Sequence, residues 1–431
     1  MTGLLSYGFA AGAVLVLLVA IALIRRLGSR FAWHAEVQRK LVHVMVGLFA
    51  MGLPFLLSDS GAAVFLVALA VCAMLVLRLS AHFSDLAGAA IHAVQRAGLG
   101  DIWLAIAVGF LFLQYGGSYI LYGLPLAIIT LSDAAAALTG SHYGRTRFPT
   151  EDGTKSWEGV IAFVLVGWIV AMTMLLLFSD APRGHVIVLG LVIASFGAMV
   201  EAVSWRGLDN LFVPLAIYFF LQEFLGSSPA TLGLVTVLFF AACFAAQAAA
   251  SWLGLARSTA RAFGVGAFIF LSVGDLFGAV IPLVAMAIYL LTRSRLPGSG
   301  RHPDLDFLGT LCSAAAIWLF IGQTAGENAI HFYNLAMTGL VLGYLLLALP
   351  RRYAVILLPL AWGAVVGLSA SGWHTAPPPA DFRLIAILSL ALVAATTLSL
   401  TQFYIRWRPP RVMVLARAVP IAAYAHIAGG A

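Results

Sequence analysis

Residues 4–24 read LLSYGFAAGAVLVLLVAIALI, without a single charge, and Arg25 and Arg26 follow at once. The hydrocarbon core of a bilayer takes about 20 apolar residues of helix, so this stretch suffices for one crossing. No small-residue cleavage site precedes the arginine pair, and the block reads as a retained helix rather than a signal peptide. Blocks of the same kind recur to the far end of the chain. Of the 431 residues 62% are hydrophobic and only 10% charged, against roughly 25% charged in a soluble domain. The short apolar–polar alternation of a membrane barrel is absent.

These blocks predict an all-α fold, a polytopic transmembrane bundle of about fifteen helices. Fourteen is the alternative, depending on residues 264–292: one long tilted helix, or a hairpin turning at Gly274 and Asp275. The positive-inside rule favours the hairpin. With the N-terminus outside and the C-terminus cytoplasmic, every lysine and arginine except Arg183 and Arg383 then falls in an inner loop. The net charge of +7 is thereby explained by topology. Basic runs interleaved with aromatics are lacking, which argues against nucleic acid as a partner. Cys72, Cys243 and Cys312 sit in apolar blocks with neither metal nor disulfide spacing.

Polar residues divide the chain near 226–229 into a domain over 1–228 and a further transmembrane domain over 229–431. Four constellations occupy the first. Glu36-x-x-Arg39-Lys40-x-x-His43 enters the second span, its spacing placing Glu36, Arg39 or Lys40, and His43 on one helical face. It fits a basic anchor with a snorkelling lysine as well as a phosphate site. Next come Ser132-Asp133, four alanines, Gly140, Tyr143, Gly144 and Arg145. A carboxylate deep in an apolar helix is costly and needs a partner or an ion, while alanines and Gly140 let another backbone approach.

Thr154-Lys155-Ser156-Trp157-Glu158-Gly159 follows at the start of a helix, and Lys155 and Lys40 are the only lysines in the chain. Glycine, hydroxyls and a lysine at a helix N-terminus make a phosphate cradle, although an interfacial Trp with a capping Ser or Thr reads equally well. The last group is Glu201 with Gly207-Leu208-Asp209-Asn210 and Pro214. Its oxygen ligands suit magnesium, or else an Asx-type turn caps the next helix. The topology above puts all four groups at one membrane face, where a soluble anion can meet a lipid. Walker A, GxSxG, HExxH and CxxC patterns are absent.

At these residues the first half resembles the phytol kinase and dolichol kinase family. Arg39-Lys40-x-x-His43, the segment from Asp133 to Gly144, Lys155-Ser156-x-Glu158-Gly159 and Asp209-Asn210-x-x-x-Pro214 look like that family's blocks, in the same order. Ser132 departs from the family's usual Gly, and Glu151 and Asp152 form an acidic pair of unread role. The resemblance implies transfer of the CTP γ-phosphoryl group to a membrane isoprenoid alcohol such as phytol, farnesol, geranylgeraniol or a dolichol-like prenol. On that reading Asp133 and Asp209 are expected to take magnesium-associated roles, and Lys155 to steady the triphosphate with Arg39 or Lys40 assisting. Gly140, Gly144, Arg145, Ser156 and Asn210 would complete the nucleotide site. His43, Glu158 or Glu201 would orient or deprotonate the alcohol, and the prenyl tail would enter sideways from the bilayer.

The phosphatidate cytidylyltransferase family also uses CTP and has a stretch similar to Lys155-Ser156-Trp157-Glu158-Gly159. Its later Pro-Gly-His-Gly-Gly signature is missing, which favours the kinase. A secondary transporter would account for intramembrane Asp133, Glu201 and Asp275, but it predicts inverted repeats, and inspection finds none. The expected setting is a bacterial inner membrane with the site facing the cytoplasm, and a homo-oligomer is left open. Beyond residue 229, Arg257, Arg261, Asp275, Glu327, Asn328, His331 and Asn334 read as topology anchors and loop polar groups, or as a lipid-binding, regulatory or docking surface.

Overall fold

The structure is a computed structural model that describes residues 3–79, 99–151, 153–273, 276–296, 302–325, 329–370 and 377–429. The chain gathers into two compact units, Met1–Leu238 and Phe239–Ala431. Arg96, Asp152, Asp275, Arg301, Glu327 and Asn328 lie outside the described residues.

The first unit begins with α1 (Gly3–Arg30), α2 (Ala35–Leu56), α3 (Ser60–Leu79) and α4 (Gly100–Leu113). Next, α5 (Tyr119–Ala127) runs through one π-helical turn (Ile128–Ser132) into α6 (Asp133–Tyr143). A small hairpin, β1 (Arg147–Thr150) and β2 (Gly153–Ser156), leads into α7 (Trp157–Phe178), α8 (Arg183–Val203) and α9 (Asp209–Phe224). A last helix, α10 (Pro229–Ala249), leads into the second unit.

The span Tyr119–Tyr143 is the axis of the first unit. It is 78% buried over its most apolar stretch, against 17% for Leu5–Arg30. Glycines let neighbours close on this axis. A Cβ on Gly159 would lie 2.9 Å from the Ala136 carbonyl, and one on Gly140 would lie 3.0 Å from Ser156 Oγ, so α6 and α7 meet nearly backbone to backbone. On the other side α2 runs antiparallel to the axis. Tyr122 donates to the Ala50 carbonyl at 2.6 Å and Tyr119 to the Met51 carbonyl at 3.0 Å. One turn away Gly47 faces Thr130, whose side chain would overlap any Cβ there. That register delivers the N-terminal turns of α2 to Asp133.

The fold is all-α as expected, with one small hairpin added to the helices. Its strands pair antiparallel from Arg147↔Ser156 to Thr150↔Gly153, and Gly153 has φ +134°, a conformation open chiefly to glycine. The overlooked signal was the Asp152-Gly153 dipeptide between short alternating runs.

The second unit comprises α11 (Arg257–Val273), α12 (Leu276–Thr292), α13 (Pro303–Ala325), α14 (Ala329–Ala348), α15 (Ala354–Ala370), α16 (Phe382–Ser399) and α17 (Thr401–Gly429). Here α14 is the enclosed helix, 78% buried where Arg351–Ala370 is 11% buried. The helices α11 and α12 are in contact, and the turn expected at Gly274 and Asp275 lies outside the described residues.

Among the described residues twelve helices are long and apolar enough to cross a membrane, with Gly100–Leu113 and Val412–Ile427 as shorter apolar helices. The expected span 382–405 stops at Ser399, and α17 follows as a separate helix. Val412 packs on Gly343, Ala416 on Gly339, and Tyr424 on Phe332 with ring centroids 5.4 Å apart. Thus α17 runs back antiparallel along α14, and Tyr424 lies at the end of α14 remote from Arg351.

Candidate active site

Three carboxylates from three elements converge in the first unit. Oxygens of Asp133 at the start of α6, Glu201 near the end of α8 and Asp209 at the start of α9 all lie within 4.8 Å of one another. Asp133 and Glu201 are buried. Three like charges at that spacing repel strongly in a medium of low dielectric, and the two lysines answer them. Lys40 Nζ donates to Asp133 Oδ2 at 2.5 Å, with only 3% of its side chain exposed. Lys155 Nζ donates to Glu201 Oε1 at 2.6 Å and to the Glu201 carbonyl at 2.5 Å.

Each element aims its group for a local reason. Lys40 is one turn before His43 on α2, and His43 Nε2 lies 3.1 Å from the Ile129 carbonyl and 3.6 Å from Asp133 Oδ2. The π turn ends where Asp133 begins; such insertions are rare and concentrate at functional sites. Lys155 sits in β2, so the hairpin carries it over the end of α8. Burial favours its neutral amine, but the Glu201 and Asp209 carboxylates outweigh that and hold its pKa above the ordinary lysine value. Arg206 (φ +54°) and Gly207 (φ +76°) turn the chain from α8 into α9. A Cβ on Gly207 would sit 2.8 Å from the Gly100 backbone, so glycine is needed there for conformation and for space.

Several further residues have structural assignments. Arg39 grips Glu36 with two bonds of 3.0 and 2.6 Å, and 48% of its side chain is exposed. Ser156 accepts the Gly159 N–H at 3.1 Å as the N-cap of α7 and packs against Gly140 and Gly144. Glu158 accepts the Thr146 N–H at 3.0 Å and braces the hairpin. Arg145 is exposed. Asn210 is 7% exposed, and its buried Oδ1 finds no hydrogen-bond partner among the described residues.

Lys40, His43, Asp133, Lys155, Glu201 and Asp209 are therefore brought together, while Ser156, Gly140, Gly144 and Glu158 shape the hairpin–helix junction beside them. Sequence reasoning grouped Glu201 with Asp209 but not with Asp133, and the structure brings carboxylate oxygens of all three within 4.8 Å of one another. It also missed the π turn and the Ile129 carbonyl, for which Ile-Ile-Thr-Leu-Ser carries no signal.

Fold and centre together define a polytopic membrane protein whose only two lysines meet three carboxylates inside one helical unit. No family model and no solved structure matches the chain. A phytol kinase of Synechocystis sp. is 30% identical to it over 218 residues, which is 48% of this chain and 87% of that protein. The chain belongs to the phytol kinase family, and the likeness covers its N-terminal half.

Proposed function

We propose that the chain is a CTP-dependent kinase that transfers the γ-phosphoryl group of CTP to the hydroxyl of a membrane isoprenoid alcohol. The observation that carries this reading is the convergence of Lys40 and Lys155 with Asp133, Glu201 and Asp209, in a chain whose relative is named a phytol kinase. Phosphoryl transfer asks a protein for positioning and charge neutralisation rather than covalent help, and this centre offers fixed charges of both signs.

The donor set fits magnesium, because it is all oxygen and anionic, and Asn210, next in sequence to Asp209, has a buried Oδ1 with no hydrogen-bond partner among the described residues. Asp133, Glu201 and Asp209 would hold the ion, which would neutralise phosphate oxygens. Lys155, charged because its pKa is raised, would steady the triphosphate. Lys40 keeps Asp133 in place, and the exposed Arg39 would meet the nucleotide from the aqueous side. As the new O–P bond forms and CDP leaves, the alcohol proton passes to a carboxylate of the cluster. The prenyl chain stays among the apolar helices, and the nucleotide comes from the cytoplasm.

Membranes containing the full chain, given labelled CTP, ATP, GTP or UTP with phytol, farnesol, geranylgeraniol or a dolichol, test this reading. CTP is expected to label at least one alcohol and the other nucleotides to label none. Labelling from ATP alone contradicts the nucleotide choice. CDP-lipid formed from phosphatidate points to the cytidylyltransferase instead.

A further inference from the structure

We propose that His43 is a positioning residue that holds the π turn in front of Asp133, and is not the base that receives the alcohol proton. The proposal rests on the kinase reading above and concerns the division of labour within that site.

His43 Nε2 lies 3.1 Å from the Ile129 carbonyl oxygen. A carbonyl oxygen only accepts, so Nε2 carries the proton and donates it. The nitrogen nearest Asp133, at 3.6 Å, is therefore already spent on the backbone. The ring is 9% exposed, which leaves little room for it to swing toward a substrate.

The acceptor's location gives the contact its meaning. Ile129 lies inside the π turn Ile128–Ser132, and Asp133 is the first residue after it. One residue inserted into a helix turns everything after it by about 100°. The turn thus decides whether Asp133 faces Lys40, Glu201 and Asp209 or some other helix. Widened turns pair their backbone poorly, and within a bilayer an unpaired carbonyl is costly. His43 supplies a donor to that turn from α2, one helical turn after the lysine that pairs with Asp133. The same helix fixes the turn's other side, where Thr130 fills the space that the missing Cβ of Gly47 leaves.

Three variants of the full chain, His43→Gln, His43→Asn and His43→Ala, separate the two roles. A glutamine amide nitrogen reaches about where Nε2 sits and donates to the same carbonyl, but it is no base. Asparagine is too short. The expected order is near-wild-type kcat for His43→Gln, within about threefold, and losses beyond about tenfold for His43→Asn and His43→Ala, with KM for CTP little changed. A base would lose about 10²–10⁴-fold in all three alike, and a folded His43→Gln that is as dead as His43→Ala overturns the proposal. Nitrogen-15 spectra of the imidazoles, with the His43 signal assigned by its loss in His43→Gln, give an answer without activity. A proton on Nε2 supports the assignment, and a ring whose only proton sits on Nδ1 overturns it. Should the wild type phosphorylate no alcohol, the kinase reading fails while the spectra still decide what His43 holds.

Discussion

Lys40 and Asp133 show what a buried ion pair commits a protein to. Their side chains are 3% and 7% exposed, so removing either one strands a charge among apolar helices. Lys40→Met is expected to destabilise the first unit by about 3–5 kcal/mol, the usual cost of orphaning one member of a buried pair. Thermal unfolding in detergent measures it, and the double variant Lys40→Met/Asp133→Asn should recover most of that loss without recovering activity. At Lys155 the sign of the pH effect follows from its raised pKa. The stabilisation from its raised pKa is fully present below the ordinary lysine pKa and is lost as pH rises from there through the raised one. Melting temperatures of wild type and Lys155→Met should therefore differ by a constant amount across neutral pH and converge only in strong alkali. Lys40, Asp133, Lys155 and Glu201 all stood out in the sequence as candidate site residues, and Asp133 in particular needed a partner, being a charge inside an apolar stretch. The partners were not legible, since they lie 93 and 46 residues away along the chain, and helical spacing reports only neighbours within a few turns.

Between residues and units, the devices that build the site are a π turn, a hairpin and a set of glycine contacts. Gly47→Ala forces a methyl group into the Thr130 side chain and should cost about 1–3 kcal/mol, the usual penalty of overpacking, with a loss of kcat as the turn before Asp133 shifts. Ser156→Ala removes the cap of α7 and should cost about 0.5–2 kcal/mol, whereas Ser156→Thr should restore most of it. Melting temperatures of the four proteins test both statements. Apolar blocks of near-bilayer length made the long helices readable. The hairpin hid behind them because its two strands are only four residues each. The last helix hid because Pro409, Pro410 and four arginines argue against a membrane helix by propensity. Packing of Val412 and Ala416 on the glycines of α14 overrides that.

At the scale of the molecule, the proposed chemistry belongs to one of two compact units. The site residues all lie in Met1–Leu238, and the relative matches 218 residues of this chain over 87% of its own length. A chain ended after Leu238 should therefore still phosphorylate the alcohol in membranes, and loss of activity from a folded, inserted truncation would assign the second unit an essential part. Asp133 and Lys155 are proposed to stand at a phosphoryl-transfer centre. The most direct test supplies γ-labelled CTP and phytol to membranes bearing wild type, Asp133→Asn or Lys155→Ala at matched expression. The account predicts labelled phytyl phosphate from the wild type and a loss of at least about a hundredfold in each variant, the scale of removing a group that acts on the transition state. Equal labelling by all three proteins would contradict it.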